Sequence, residues 1–562
     1  MAAVTLPSLL ALNISPSSTF WNQALAFVLW AAFVAGTTPT AARGAGLLHA
    51  AFAILAAAAL WAWLPGGLPA SLALSAIGTL AAASLLAAGG ASAKAAQGAE
   101  ILFAAFCWAW LVAGAFNVGV ALLQVFAPEL PDGSWIAASG IPGRAVGNLR
   151  QPNHLSSLLL WSCISLVVLL DLRRLSLRLA APALAAFVLA VVLTASRTGL
   201  VSVLLLACWG LLDRRLSRQA RMLLLAAPLV YAAAWWGMAQ WAALSAHSFG
   251  GTARLAESDI SGSRFAIWKN TWALIQAHPW AGVGFGEFNF AWTLTPFPGR
   301  PTAFFDHTHN LPLQLAVELG LPLAALVLGL LLWALGRAAW LAWRAEGDAG
   351  TTQRGAVMMV LMIGLHSLLE YPLWYAYFLL PTAWAFGYAL RGPAAMADEN
   401  NPASKPRVPV LRLAGWLMVA GALFSVWDYG RVAAIFVAEP GSAPLAQRIA
   451  RGQHSIFFSH HADYAAVTSA PPGSVPAQAF DRTTHYLLDT RLMTAWSQAL
   501  AAQGELDAAR HVAARLREFD KDDTEAFFEA CPQAAVPAAP GLPFQCELPA
   551  ATRPWQYFLP AR

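Results

Sequence analysis

Long apolar runs alternate with short polar segments over most of the chain. A transmembrane helix needs roughly 20 mostly apolar residues to cross about 30 Å of hydrocarbon. About twelve runs meet or approach that length: residues 19–37, 45–64, 69–89, 101–126, 155–171, 179–195, 199–212, 221–243, 311–336, 355–369, 373–390 and 411–429. The seventh is short and extends outward through Ser196. From about residue 430 the runs stop, and polar and apolar positions follow helical periodicity in "TRLMTAWSQALAAQGELDAARHVAARLREFD".

Composition sharpens this pattern into a class. Hydrophobic residues make up 58% of the chain and charged residues 11%, with a mean hydropathy of +0.56. That excludes an ordinary soluble globular domain. The expected fold is an all-α polytopic membrane protein with a C-terminal helical soluble domain. Four regions are expected: N-terminal membrane helices over 1–243, a large loop over 244–310, C-terminal membrane helices over 311–429, and a helical tail over 430–562. The Gly between two amphipathic halves of the tail resembles one tetratricopeptide helix-turn-helix unit, and a single unit does not make an array. The first span lacks a basic flank and a small-residue cleavage site, so it reads as a retained helix.

Positive charge sets the orientation, because cytoplasmic loops carry the excess of Lys and Arg. Arg173, Arg174 and Arg178 follow one span; Arg214, Arg215, Arg218 and Arg221 another; Arg337, Arg344 and Arg354 a third; Arg391, Lys405 and Arg407 a fourth. The opposite, outer side then receives residues 127–154, the turn at Arg197, the loop 244–310, the turn near Glu370, and the tail. Arg43 and Lys94 point to an outward N-terminus. The net charge of +5 follows from these arginines, and nothing points to nucleic acid. Cys107, Cys163 and Cys208 read as small hydrophobes inside spans, whereas Cys531 and Cys546 flank a Pro-rich tail loop. On the oxidising side of a membrane the latter two are a candidate disulfide, which would stabilise the tail by about 3 kcal/mol on the chain-entropy model.

Polar residues at membrane depth are costly, roughly 2.5–3.5 kcal/mol for an arginine at a helix centre. They concentrate on the outer side here. "GRAVGNLRQPNHL" supplies Arg144, Asn148, Arg150, Gln151, Asn153 and His154; "TASRTGL" supplies Arg197; "SGSRFAIWKN" supplies Arg264 and Lys269. "DHTHN" contributes His307, His309 and Asn310, and "LHSLLEYPLWY" contributes His366, Glu370 and Tyr371. An Arg guanidinium matches phosphate oxygens with a planar fork, which suits Arg197 and Arg264 to a pyrophosphate. An imidazole near its ordinary pKa takes a proton from a hydroxyl at neutral pH, which suits His309. Each residue also has a plainer reading. Outer-turn arginines anchor helices at the interface, Asp306 caps a helix, and Glu370 pairs with an arginine. The two histidines of "HTH" lack the further spaced ligands of a zinc site, and Asp520 to Asp522 read as a solvated turn despite imitating a metal motif. The glycines of "GVGFG" permit a tight reversal.

"SRTG", "RFAIW", "AHPWAGVGFGEF" and the "HN" of "DHTHN" together resemble the bacterial O-antigen ligase, polymerase and O-oligosaccharyltransferase superfamily. "GNLRQPNHL", followed by a soluble tail, is similar to the PglL-type protein O-oligosaccharyltransferases within it. The resemblance implies a GT-C-type bundle in the bacterial inner membrane, with its active site, long loop and tail on the periplasmic side. It implies a metal-independent glycosyltransferase without cofactor that moves a glycan from undecaprenyl pyrophosphate to Ser or Thr of a periplasmic or pilin-like protein. Arg197 and Arg264 then hold the donor pyrophosphate and His309 is catalytic, with His307 secondary. Arg144, Arg150, Gln151, Asn153, His154, Asn310 and Glu370 are candidate substrate-binding residues. Transfer to a lipid A core sugar, or to another glycan chain, remains open within the same superfamily. A lipid-linked glycan transporter is the non-enzymatic alternative, but such a protein should show internal repeats and midplane charges.

Overall fold

The computed structural model describes residues 1–37, 44–96, 98–245, 247–256, 260–298, 300–302, 304–392, 408–519, 522–532 and 542–559. Arg43, Lys405, Arg407, Asp520 and Lys521 lie outside them. Every expected run coincides with a helix: Phe20–Gly36, Gly46–Trp63, Ala70–Ala95, Ala99–Phe126, Pro152–Asp171, Leu177–Leu193, Arg197–Leu212, Arg218–Leu244, Leu311–Arg344, Gly347–Ser367, Ala376–Ala389 and Val408–Phe436. Among the described residues seven helices are long and apolar enough to cross a membrane, and Phe20–Gly36, Leu177–Leu193 and Arg197–Leu212 are shorter apolar helices. Among the described residues there is no strand, only an isolated bridge between Ile14 and Ser17.

The chain folds into two compact units. The first comprises residues 1–53, 79–258 and 329–424, and the second residues 54–78, 259–328 and 425–562.

The first unit is built around Pro152–Asp171, whose apolar window is 94% buried. It packs against Ala99–Phe126, Leu177–Leu193 and Gly347–Ser367. Small residues let these helices approach closely, the usual solution where no hydrophobic effect drives helices together in lipid. Ser162 Oγ donates to Trp110 O at 2.7 Å, and a Cβ on Gly114 would stand 2.4 Å from that same hydroxyl. Gly90 and Gly387 make a reciprocal contact, where a Cβ would meet Trp384 O and Ala87 O respectively, each at 1.9 Å. Phe103, Phe106, Trp110, Trp161 and Trp384 fill the space between the helices; Phe106 lies 4.7 Å from Trp384 and Trp110 lies 4.7 Å from Trp161, centroid to centroid. The helix Ala2–Leu9 was not expected from the pattern, being far too short for a span and interrupted by Pro7. Side chains from elsewhere tie it down. Asn22 Nδ2 donates to Pro7 O and Leu10 O at 2.8 and 2.7 Å, and Asn148 Nδ2 donates to Leu9 O at 2.6 Å.

The second unit joins residues 259–328 to the tail. Buried Asp428 accepts from Ser455 Oγ and from the backbone of Ile456 and Phe457, at 2.7, 2.9 and 2.9 Å, and so stops the chain after Leu445–Gln453. Thr490–Ala502 and Leu506–Arg517 pack on each other across Gly504, which adopts φ 83°. Cys531 and Cys546 are disulfide-bonded. Tail and segment interlock through polar contacts. His485 Nδ1 lies 2.7 Å from Glu287 Oε1, Leu488 N donates to Asn289 Oδ1 at 2.8 Å, and His511 Nε2 donates to Leu294 O at 2.9 Å. Arg300 pairs with Glu518 at 2.9 Å and stacks over Trp292 at 4.5 Å.

Candidate active site

Of the sequence-expected site residues, Arg144, Arg150, Gln151, Asn153, His154, Arg197 and Glu370 fall in the first unit, and Arg264, His309 and Asn310 in the second.

In the first unit they gather around the start of Pro152–Asp171. Gln151 caps this helix, its side chain accepting from His154 N at 2.9 Å, and Pro152 at the first helical position needs no backbone partner. Asn153 Nδ2 donates to Glu370 Oε1 at 2.8 Å, while Asn153 Oδ1 accepts from Ser196 Oγ at 2.6 Å. Ser196 in turn caps Arg197–Leu212 by accepting from Gly199 N at 3.0 Å. Arg197 is therefore the first residue of its helix, two residues after Ala195, which lies in the left-handed region at φ 50°. Its guanidinium is exposed and makes no hydrogen bond or ion pair with the described residues. An anion is favoured there twice over, by the fixed charge and by the unpaired N–H groups of the helix start.

The remaining expected residues of this unit support the backbone. Arg144 Nε donates to Thr194 O at 3.0 Å, which props the turn leading to Arg197. Arg150, at φ 57°, donates to Ala11 O and to Ser18 O, the latter at 3.4 Å. His154 is buried with Tyr377 OH 3.1 Å from its Nδ1; buried His366 has Ser157 Oγ 2.8 Å from its Nδ1, and the two imidazoles lie 6.0 Å apart.

In the second unit, "DHTHN" is a braced turn. Thr308 is fully buried and holds it from both sides: Thr308 N donates to Gln314 Oε1 at 2.8 Å, and Thr308 Oγ1 donates to Asn310 O at 2.9 Å. Asn310 Oδ1 caps Leu311–Arg344 by accepting from Leu313 N at 3.0 Å. These bonds place His309 at φ 54°, with Phe305 edge-on to its ring at 5.4 Å. Asp306 lies 3.1 Å from His307 Nδ1. Burial pushes the Asp306 carboxyl up, but the hydrogen bond to His307 and the nearby His307 and His309 outweigh it and hold it below the usual carboxylate range. Trp268 Nε1 donates to Thr308 O at 2.9 Å. Arg264 is four residues before Trp268 on Ile260–Ala277, so it occupies the same helix face one turn away. Behind the turn, "GVGFG" runs against Leu311–Arg344, where Val283 N donates to Val317 O at 2.8 Å and Gly284 N to Glu318 O at 3.0 Å. Among the described residues no group of three or more His, Cys, Asp and Glu side chains converges as a metal site would require.

The sequence reading missed Ser196, Thr308 and Gln314 as parts of the site, along with Ser157 and Tyr377 beside the buried histidines, and had Trp268 only as the last residue of "RFAIW". Ser196 alone carried a readable signal, a serine just before an apolar run. Ser157 and Tyr377 depend on partners about two hundred residues away, whereas Thr308 and Gln314 bond each other within a turn that no hydropathy pattern marks.

Residues 145–170 match the family described as a protein glycosylation ligase, residues 182–328 the family described as O-antigen ligase, and residues 356–530 the C-terminal region of a virulence factor membrane-bound polymerase. The chain is 26% identical over 302 residues to the General O-oligosaccharyltransferase of Acinetobacter baylyi, covering 51% of this chain and 50% of that protein. It is 23% identical over 303 residues to the ComP-specific O-oligosaccharyltransferase of the same organism, covering 52% of each. The chain spans about half the length of these curated relatives. With the glycosylation-ligase match over the "QPNH" segment and the ligase match over Arg197, Arg264 and His309, the chain is similar to the O-antigen ligase superfamily and, within it, to the PglL-type O-oligosaccharyltransferases.

Proposed function

We propose that this protein transfers a glycan en bloc from undecaprenyl pyrophosphate to a Ser or Thr hydroxyl of a periplasmic or pilin-like protein. The observation that carries the reading is the match of residues 145–170 to a protein glycosylation ligase next to an O-antigen ligase match over 182–328. On this reading the twelve apolar helices are twelve crossings of the bacterial inner membrane in a GT-C-type bundle. The basic loops face the cytoplasm, and residues 244–310 and the tail face the periplasm.

The chemistry is a single metal-independent displacement at the anomeric carbon. His309 takes the proton of the acceptor hydroxyl as that oxygen forms its bond to the anomeric carbon. The bond from that carbon to the pyrophosphate oxygen breaks, and the electron pair leaves with undecaprenyl pyrophosphate. Arg197 and Arg264 neutralise the charge that builds on the leaving oxygens. Attack opposite the leaving group inverts the anomeric centre.

The test is transfer from a lipid-pyrophosphate-linked glycan to a pilin-like protein, read by mass spectrometry of the acceptor at matched membrane expression. Wild type is expected to glycosylate Ser or Thr, and His309→Ala to lose transfer by roughly 10²–10⁴-fold. Undiminished transfer by His309→Ala would overturn the mechanism. A second reading, ligation to a lipid A core sugar, is favoured by the description of the family matched over 182–328. Modified lipopolysaccharide with unmodified acceptor protein would establish it instead.

A further inference from the structure

We infer that Asn153, held by Glu370, is a positioning residue that aims Arg197 at the donor pyrophosphate. This deepens the proposed function and rests on it, by giving a role to the "QPNH" segment.

Three observations combine. The first is polarity. The Glu370 carboxylate is 5% exposed, and the oxygen facing Asn153 at 2.8 Å requires the amide nitrogen there. The amide oxygen is thereby turned to Ser196, whose hydroxyl must donate to it at 2.6 Å. The second is consequence. With its proton committed to Asn153, the Ser196 oxygen presents a lone pair to Gly199 N at 3.0 Å, so the Glu370 oxygen that accepts from Asn153 fixes the cap of Arg197–Leu212 through one amide and one hydroxyl. The third is isolation. Arg197 follows the cap directly, and its exposed guanidinium has no side-chain partner among the described residues, so its aim comes from the backbone that the cap holds. Ala195 in the left-handed region shows that this backbone is held against its own preference, a cost of order 1–3 kcal/mol that surrounding bonds must offset. Arg144 Nε on Thr194 O, at 3.0 Å, braces the other side of the same turn.

Asn153 and Glu370 therefore need not touch the donor to control it. A lone substitution at either position loosens the cap and the aim of Arg197. The paired exchange N153D/E370Q reverses which side donates, keeps the net charge, and leaves the Ser196 hydroxyl an acceptor.

The experiment measures binding of undecaprenyl pyrophosphate itself to the full chain in lipid nanodiscs, with melting temperature recorded for every variant. The expected result is that N153A and R197A each weaken binding roughly 10- to 100-fold, the size of a hydrogen bond to a charged group. N153A/R197A should bind no more weakly than R197A, because both act through one guanidinium. N153D should weaken binding and N153D/E370Q restore it to within about threefold of wild type; this pair reads the inference even if N153A does not fold. Wild-type affinity in N153A with weakened binding in R197A would overturn the inference alone, as would losses that multiply in the double variant. Wild type that does not bind the lipid pyrophosphate would overturn the proposed function, and the inference with it.

Discussion

His309 shows what a residue type reveals and what it conceals. An imidazole between polar neighbours at the start of an apolar run was legible as a candidate for chemistry, because titratable groups at that depth are costly. Its left-handed backbone was not legible, since φ 54° is imposed by the bond that Thr308 N donates to Gln314 and the one that Thr308 O accepts from Trp268. The role of Asn153 was hidden for the same reason: its partners Glu370 and Ser196 lie 217 and 43 residues away. The bracing of the His309 turn can be tested at one atom. Trp268→Phe keeps an aromatic ring but removes the N–H that reaches Thr308 O, leaving His309 free to drift from the position proposed for proton transfer. Transfer should fall roughly tenfold with little change in acceptor KM, because a small misplacement of a reacting group acts on the barrier. Trp272→Phe, on a ring 51% exposed, is the control and should leave the rate unchanged. Equal rates for the two variants would remove Trp268 from the site.

At the scale of elements, Leu311–Arg344 is the instructive case. The pattern predicts an unbroken span over 311–336, and an apolar run gives no hint of interruption. The helix is in fact kinked, with Gly320 at φ 75° and ψ 163°. The backbone groups freed there are satisfied by the "HPWAGVG" segment, for Leu321 N donates to Pro279 O at 2.7 Å beside the bonds from Val283 and Gly284. Broken backbone at membrane depth is tolerated only where protein covers it in this way. The glycines of "GVGFG" were read correctly as a reversal, but the surface they reverse against was not visible. A Cβ at Gly320 would stand 2.3 Å from Trp280 O, in a region of φ that side chains rarely adopt. Gly320→Ala is therefore expected to destabilise the second unit by about 1–3 kcal/mol and to depress transfer with it. Gly329→Ala lies on the same helix with open space around it, and should be neutral or slightly stabilising. Thermal melts of the two variants in the same nanodiscs check the pair, and a Gly320→Ala melt as high as wild type would show that the docked segment yields easily.

Across the whole molecule, apolar length made the helices legible, because crossing a bilayer demands it of every span. The grouping of residues 259–328 with the tail was not legible, because its contacts join elements some two hundred residues apart. Its most telling bond is buried. His485 is 1% exposed and Glu287 9%, with 2.7 Å between them, and Phe290 stacks on the imidazole at 5.5 Å. Burial alone pushes the His485 imidazole down, but Glu287 and then Asp481 outweigh it and leave it above its ordinary 6.5. The sign of the pH effect follows. Folding favours the protonated imidazole, so the pair contributes its full stability below about pH 6.5, where the unfolded chain is protonated as well. That contribution declines as pH rises above 6.5 and is lost once the folded imidazole has also released its proton. Proteolysis of the tail in the intact protein should therefore quicken from about pH 6 to about pH 9. Glu287→Gln should flatten this dependence while lowering resistance at the acid end, since a neutral amide cannot hold the proton on His485. A slope unchanged by Glu287→Gln would assign the dependence to other groups, and a tail that becomes more resistant with rising pH would contradict the sign.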